Sequence, residues 1–271
     1  MRTLPIGCVA LLLAVAGVRA GAPAPIINPI GGTAANAPVA NDGSVDPLLQ
    51  QLDQVGKDLK EFSARLKLTE ADPLGGATVR VGTVCFQKKP DGSPRIHVIF
   101  DKRIDDRHIA HTGEKIEYLL DGPWLIDRNY RTKTEVRRQV LKPDQKMDLF
   151  KLGEGPFPLP IGQDPQNVHK AFDVKRVAPA KDDPPHTVHV ELMPKTGTDL
   201  ARKFHSIDVW VDDKSHMPVR VDTVDAKQQM SRSTELTDLA VNPPGGLKEP
   251  DFQLPNIDNQ HWNTLVESLN D

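Results

Sequence analysis

The feature that most constrains the fold of this 271-residue chain is an alternation of apolar and polar residues with a period of two. Successive side chains of a β-strand point to opposite faces of a sheet, so this period is typical of strands with one buried face. We therefore predict strands at residues 79–85, 96–100, 115–120, 124–130, 132–140, 172–177, 187–192, 205–211, 219–223 and 229–240. Turn sequences such as Asp121-Gly122-Pro123 separate them, so strands that are neighbours in sequence should be neighbours in an antiparallel sheet.

One amphipathic helix is predicted ahead of the strands. Asp46-Pro47 supplies an N-cap and a proline in the first turn. Apolar residues then recur at helical spacing over about four to five turns, at Leu48, Leu49, Leu52, Val55, Leu59 and Phe62. The apolar stripe requires a partner surface, which is either the core of the sheet or a ligand that the helix covers.

The first 20 residues have the pattern of a secretory signal peptide. A positive start at Arg2 precedes an apolar run from Leu4 to Ala16 and a small-residue cleavage site at Ala20. The run is shorter than the roughly 20 residues that span a bilayer, so we expect an exported, periplasmic protein that does not cross the membrane. Lipidation at Cys8 is the alternative use of this segment. Residues 21–45 are rich in Ala, Pro and Gly and are predicted to form a flexible tether.

Residues 142–162 interrupt the strand pattern. The sequence allows two helical turns at 145–152, and the Pro-rich stretch 153–162 cannot form regular structure. The Pro-rich stretch places Phe157, Leu159 and Ile161 in a loop, where large apolar residues are unusual, and Phe150 lies in the helical turns before it. The segment is either a plug for the core or a lid over a ligand cavity.

The sequence offers no anchor for catalysis. Two His-x-x-His pairs, at His108 with His111 and at His186 with His189, lack the glutamate of a zinc-hydrolase helix. Cys85 follows a strand alternation and is predicted to be a buried, inert thiol. The formal net charge of −3, which becomes −5 once Arg2 and Arg19 are removed, argues against nucleic acid as a partner. We expect no enzyme activity, no metal and no cofactor.

Apolar residues of the Pro-rich segment, the helix and the strands occur where a minimal core does not need them, and this placement predicts a site for a hydrophobic ligand. A curved sheet around a helix can leave space for an alkyl chain, although helix and lid could also fill it completely. The candidate ligand-binding residues are Leu52, Leu59, Phe62, Tyr118, Leu120, Trp124, Ile126, Phe150, Phe157, Leu159 and Ile161.

The order of these parts resembles the periplasmic lipoprotein carriers of the LolA/LolB type. The likeness covers residues 46–255 and rests on the motifs Phe62-Ser63-Ala64, Lys88-Lys89-Pro90, 118–125, 207–212 and 217–221. The resemblance implies a mainly β (α+β) fold, in which a curved antiparallel sheet forms a half-closed barrel covered by an N-terminal helix and a helical, Pro-rich lid. Residues 256–271 would be a C-terminal tail with a short helix, since Trp262, Leu265, Val266 and Leu269 have helical spacing.

The resemblance also implies a function without catalysis. Its members hold the acyl chains of lipoproteins, so this chain would be a monomeric binder or carrier of such chains or of another lipid in the cell envelope. An arginine in the basic-Pro turn of the family helps to hold the lid shut, and Lys89 is the matching position and the candidate latch. The alternative is a structural or interaction module with a filled core, which would bind an envelope protein partner.

Overall fold

A computed structural model describes residues 44–72, 76–142, 161–258 and 260–269 of the chain. These residues form three α-helices, one short 3₁₀-helix and twelve strands. Their bounds are α1 Asp46–Asp58, β1 Glu61–Asp72, β2 Gly76–Lys88, β3 Pro94–Ile104, β4 Ala110–Asp121, β5 Trp124–Asn129, β6 Thr134–Gln139, α2 Pro165–Ala171, β7 Phe172–Val177, β8 Thr187–Pro194, α3 Asp199–Lys203, β9 Phe204–Asp212, β10 Pro218–Asp225, β11 Ser231–Val241, the 3₁₀-helix Glu249–Phe252 and β12 Asn263–Glu267. The predicted signal peptide, most of the tether and residues 143–160 lie outside the described residues.

All twelve strands belong to one open sheet, with the order β12-β6-β5-β4-β3-β2-β1-β11-β10-β9-β8-β7. Two antiparallel meanders, β2 to β6 and β7 to β11, are joined because β1 pairs with β2 on one side and with β11 on the other. The prediction that sequence neighbours pair in the sheet is confirmed within each meander. The mainly β, half-barrel fold class is likewise confirmed.

Helix α1 ends earlier than its apolar spacing predicts. The helix stops at Asp58, and Phe62 lies in β1, a strand that the sequence pattern did not separate from the helix. The Asn242 side chain fixes this boundary, since its Oδ1 accepts hydrogen bonds from the backbone N–H groups of Lys60 and Glu61 at 2.9 and 3.1 Å. The contact joins residues about 180 positions apart in the chain.

The C-terminal tail is a strand where its apolar spacing predicted a helix. Residues 263–267 form β12, which pairs in parallel with β6 and places Leu265 beside Val136. The free edge of β6 supplies hydrogen-bond partners that a short isolated helix lacks, and this tertiary contact overrides the local pattern. The tail is therefore a part of the sheet.

The core lies between α1 and one face of the sheet. We call the face that carries α1 the inner face and the opposite one the outer face. Leu49 and Leu52 of α1 belong to one buried cluster with residues of β1 to β5 and of β7 to β9.

A candidate apolar binding face under helix α1

The inner face presents two adjacent rows of buried apolar side chains across neighbouring strands. Directly paired residues share a face of the sheet, and the pairing gives a first row of Phe62, Phe86, Ile96, Leu120 and Leu125. The second row contains Ala64, Val84, Val98 and Tyr118. The rings of Phe62 and Phe86 stack with their centroids 5.4 Å apart. The face is thus continuous and apolar over β1 to β4.

Helix α1 covers this face. Leu52 of α1 and Leu59, just past the end of the helix, are each 1% exposed. Ile161, at the far side of the predicted lid, is 2% exposed and belongs to the same buried cluster. The backbone N–H of Gly162 donates to the carbonyl oxygen of Leu52 at 3.0 Å. The fold therefore brings together six of the candidate residues, namely Leu52, Leu59, Phe62, Tyr118, Leu120 and Ile161.

Two other candidates face the opposite way. Trp124 pairs with Asp121 and Ile126 pairs with Leu119, so both side chains lie on the outer face. Leu125, between them, is the residue of β5 that joins the first inner row. The sequence alternation located the strand correctly, but an unbroken apolar run of three residues does not show which of them points inward. The remaining candidates Phe150, Phe157 and Leu159 lie outside the described residues.

Two neighbouring lysines of the β2–β3 turn make different contacts. Lys89, the candidate latch, forms an ion pair with Asp121 at the end of β4. Lys88 reaches the helix instead, because its Nζ donates to the carbonyl oxygen of Gly56 at 2.8 Å. Lys88 thus ties the turn to the last turn of α1.

The inner face becomes polar away from α1. Burial raises the pKa of Tyr118, and the negative charge of Asp127 acts in the same direction. The pKa of Asp127, which pairs with Tyr118 across the strands, is also raised by burial, and Arg138 partly opposes this shift. On β1 the apolar series Leu66 and Leu68 continues into Glu70.

Glu70 bridges two arginines from the strands on either side of it. Its Oε2 accepts a hydrogen bond from Nη1 of Arg80 at 2.6 Å, and its Oε1 accepts one from Nε of Arg232 at 3.0 Å. Arg80 lies on β2 and Arg232 on β11, so the cluster crosses the junction of the two meanders. We call Glu70, Arg80 and Arg232 the arginine pair site. The sequence alone gave no signal for it, because its members are spread over 162 positions.

The outer face of the first meander is covered by the C-terminal segment 242–258, which we call the strap. Phe252 of the strap is 3% exposed. The guanidinium carbon of Arg95 lies 4.0 Å from the centroid of the Phe252 ring. The Nδ1 atom of His97 lies 2.8 Å from the carbonyl oxygen of Asp251, and Arg128 donates to that of Pro255 at 2.6 Å. The strap explains how polar side chains on an outer face become buried.

The residues that were candidates for metal binding or catalysis make contacts within the fold. His111 contacts Asp105 at 2.9 Å, and His189 contacts Asp208 at 2.9 Å while stacking on Trp210. Burial, assisted by the negative charge of Asp251, raises the pKa of the Cys85 thiol and disfavours the reactive thiolate. Among the described residues, no three His, Cys, Asp or Glu side chains are grouped so that they could hold a metal ion. None of the helices in the described residues is long and apolar enough to cross a membrane.

Neither a family model nor a curated protein matches the sequence. Solved structures with a similar chain path include MucB in the MucA/MucB complex of Pseudomonas aeruginosa, at 13% identity and a TM-score of 0.45, covering 78% of this chain and 61% of that one. A putative outer membrane lipoprotein-sorting protein domain from Vibrio parahaemolyticus has 14% identity and a TM-score of 0.36, covering 76% and 94%. A LolA superfamily protein from Nitrosomonas europaea has 11% identity and a TM-score of 0.36, covering 77% and 96%. This chain spans about three fifths of the MucB chain.

Proposed function

We propose that this chain is an exported, non-catalytic binder of acyl chains, from a lipid or a lipoprotein, which it holds between α1 and the inner face of the sheet. The observation that carries the proposal is the pair of continuous apolar rows on β1 to β4, which end in a polar region. A ligand with an apolar chain and a polar end matches that gradient. Burial of its apolar chain would contribute about 25 cal/mol for each Å².

The dimensions of the two layers support a role for α1 as a cover. A helix of 13 residues is about 20 Å long and 10 Å wide. Neighbouring strands lie about 4.8 Å apart, so β1 to β5 alone are about 20 Å across. One helix cannot cover such a face by itself, so the exclusion of solvent from the inner rows requires other segments of the chain as well.

Entry of a ligand would require α1 or the segment around residue 161 to move, because the inner rows are closed to solvent in this structure. The polar ties between α1 and its surroundings include the bonds of Lys88 to Gly56 and of Gly162 to Leu52. Such contacts exchange readily for water, and each contributes about 0.5–1.5 kcal/mol. Because the buried side chains of Leu49, Leu52 and Leu59 also hold α1 in place, opening requires a ligand whose apolar surface replaces these contacts.

A structural or interaction module with a filled core is the second candidate. The burial of Leu52, Leu120 and Ile161 favours it, as does the edge strand β12, on which Leu265 and Val266 are each 53% exposed. An exposed edge strand with apolar side chains can add a strand from a protein partner. Export to the periplasm is common to both candidates and rests on the pattern of residues 1–20.

Replacement of Ala64 by leucine tests the two candidates against each other. Ala64 lies in the second inner row and is buried, whereas Ala77 on β2 is exposed and serves as the matched control. If the inner face holds an acyl chain, Ala64→Leu should weaken binding of a neutral fluorescent probe such as N-phenylnaphthylamine and leave the free energy of unfolding nearly unchanged.

A filled core gives the opposite pair of results. The added methylenes would then cost about 1–3 kcal/mol in stability, and the unmodified protein would bind no probe. Native mass spectrometry of gently extracted protein gives an independent readout, because a co-purified lipid adds a discrete mass. Absence of both lipid mass and probe binding would sink the acyl-chain proposal.

A further inference from the structure

The arginine pair site carries a charge that its own contacts do not balance. Two guanidinium groups, of Arg80 and Arg232, share the single carboxylate of Glu70. Arg103, which pairs with Arg80 across β2 and β3, adds a third positive charge, and this one is matched by Glu114 at 2.6 Å. Among these five side chains, three positive charges face two negative ones.

The site also has an unused donor. The Nε atom of Arg80 is buried, and no hydrogen-bond partner for it is found in the part of the chain that the structure describes. Buried N–H groups are nearly always paired in folded proteins. Arg232 is the more open member, with 32% of its side chain exposed, so an incoming group has access from its side.

The site is continuous with the apolar rows. Leu68 of β1 pairs with Arg80, and the inward residues that precede Leu68 on the same strand are Leu66 and Ala64. On β2, Gly82 is the only residue between Val84 and Arg80 in the inward series, and it carries no side chain. The hydroxyl of Tyr118 is close enough for the charges of Arg80 and Glu70 to affect its pKa. An apolar chain that crosses the inner rows along the direction of β1 and β2 would thus end beside the arginines.

From this arrangement we infer that the arginine pair site binds an oxyanion, a phosphate or a carboxylate, at the polar end of the acyl ligand. The planar guanidinium fork matches the geometry of both groups. Glu70 holds the two forks in place and competes with the ligand for them. The inference rests on the proposed function, since it names the head group of the ligand that the inner face would hold.

The test compares amphiphiles of one chain length that differ in head group, each below its micelle concentration. Monododecyl phosphate and dodecyltrimethylammonium compete with N-phenylnaphthylamine for the full chain in low-salt buffer. We expect the phosphate to displace the probe at a concentration at least about tenfold lower than the cation, which corresponds to about 1.4 kcal/mol.

Variants assign the preference to the site. Arg80→Met and Arg232→Met should each weaken the binding of monododecyl phosphate about tenfold and leave the affinity for the neutral probe unchanged. Lys67→Met is the matched control, because Lys67 lies on β1, between the strands of the two arginines, but on the outer face, where it pairs with Glu235. Glu70→Gln removes the competing carboxylate and should tighten phosphate binding, so it keeps the inference testable even if the arginine variants fail to fold.

The outcomes separate the two proposals. Binding of the neutral probe with no preference for the phosphate, or an equal loss in Lys67→Met, would overturn the anion site and leave the acyl-chain proposal standing. Failure of every amphiphile and of the neutral probe to bind would overturn both.

Discussion

A Cβ atom on Gly56 would lie 2.2 Å from the backbone nitrogen of Gly162, so the last turn of α1 meets the chain after residue 160 backbone to backbone. Real Cβ atoms do not approach a backbone nitrogen this closely. The atom that it would meet belongs to the backbone, not to a flexible side chain that could move aside. The contact fixes the position of α1 relative to this segment. Glycine at position 56 is therefore a packing requirement, although glycine is a poor helix former.

We expect Gly56→Ala to destabilise the protein. Alanine gains about 1 kcal/mol of helix propensity over glycine, but displacement of the neighbouring backbone costs about 1–3 kcal/mol. The net loss should be measurable as a lower midpoint of urea unfolding. Gln51→Ala, at an exposed position of the same helix, is the control and should be neutral or slightly stabilising. A Gly56→Ala protein more stable than the parent would show that α1 is not held by this contact.

Lys88 and Lys89 make a matched pair of variants. Lys88→Met removes the hydrogen bond to Gly56, which should cost about 0.5–1.5 kcal/mol and speed hydrogen exchange at the end of α1. Lys89→Met breaks only the partly exposed ion pair with Asp121, which should cost less than about 1 kcal/mol. Faster hydrogen exchange of α1 in Lys89→Met than in Lys88→Met would instead support Lys89 as the latch.

The predictable part of the fold is the part that local patterns encode. The ten predicted strands all occur, because each alternates over enough residues to show its period. Strand β1 was missed because Leu59 and Phe62 continue the helical spacing, and the residue that ends the helix is Asn242, far along the chain. Local spacing cannot show such a partner.

The candidate site was predicted in the same uneven way. Leu120 and Tyr118 lie on the inner face, whereas the register of β4 with β5 turns Trp124 and Ile126 outward. The arginine pair site escaped prediction because Glu70 and Arg232 become neighbours only through the pairing of β1 with β11. Charged residues on strands usually indicate a solvated face, and only the register shows otherwise.

Asp127 should make stability depend on pH. Burial raises its pKa in the folded protein above that of the unfolded chain. Below both pKa values the group is protonated in both states and has no effect. As pH rises through the interval between them, the folded state keeps the proton longer, so the free energy of unfolding falls and stays lower at neutral pH.

Asp127→Asn removes this penalty. The variant should be more stable than the parent at pH 7, and the difference should disappear as pH falls below about 3.9, the ordinary pKa of an aspartate. Chemical denaturation at a series of pH values measures the effect, with Asp101→Asn at an exposed position of β3 as the control. A loss of stability in Asp127→Asn at pH 7 would mean that attraction to Arg138 outweighs burial.

The strap should contribute to the stability of the whole sheet through Phe252. Its ring is buried between the strap and the outer face, and the Arg95 guanidinium stacks on it. Phe252→Ala should cost about 3–5 kcal/mol, because the cavity cannot close while Arg95 is held by Gln87 and Glu249. Leu265→Ala on exposed β12 is the control and should change stability by less than about 0.5 kcal/mol. Equal effects of the two substitutions would mean that the strap lies on the sheet without stabilising it, and His97 and Arg128 would then need another cover.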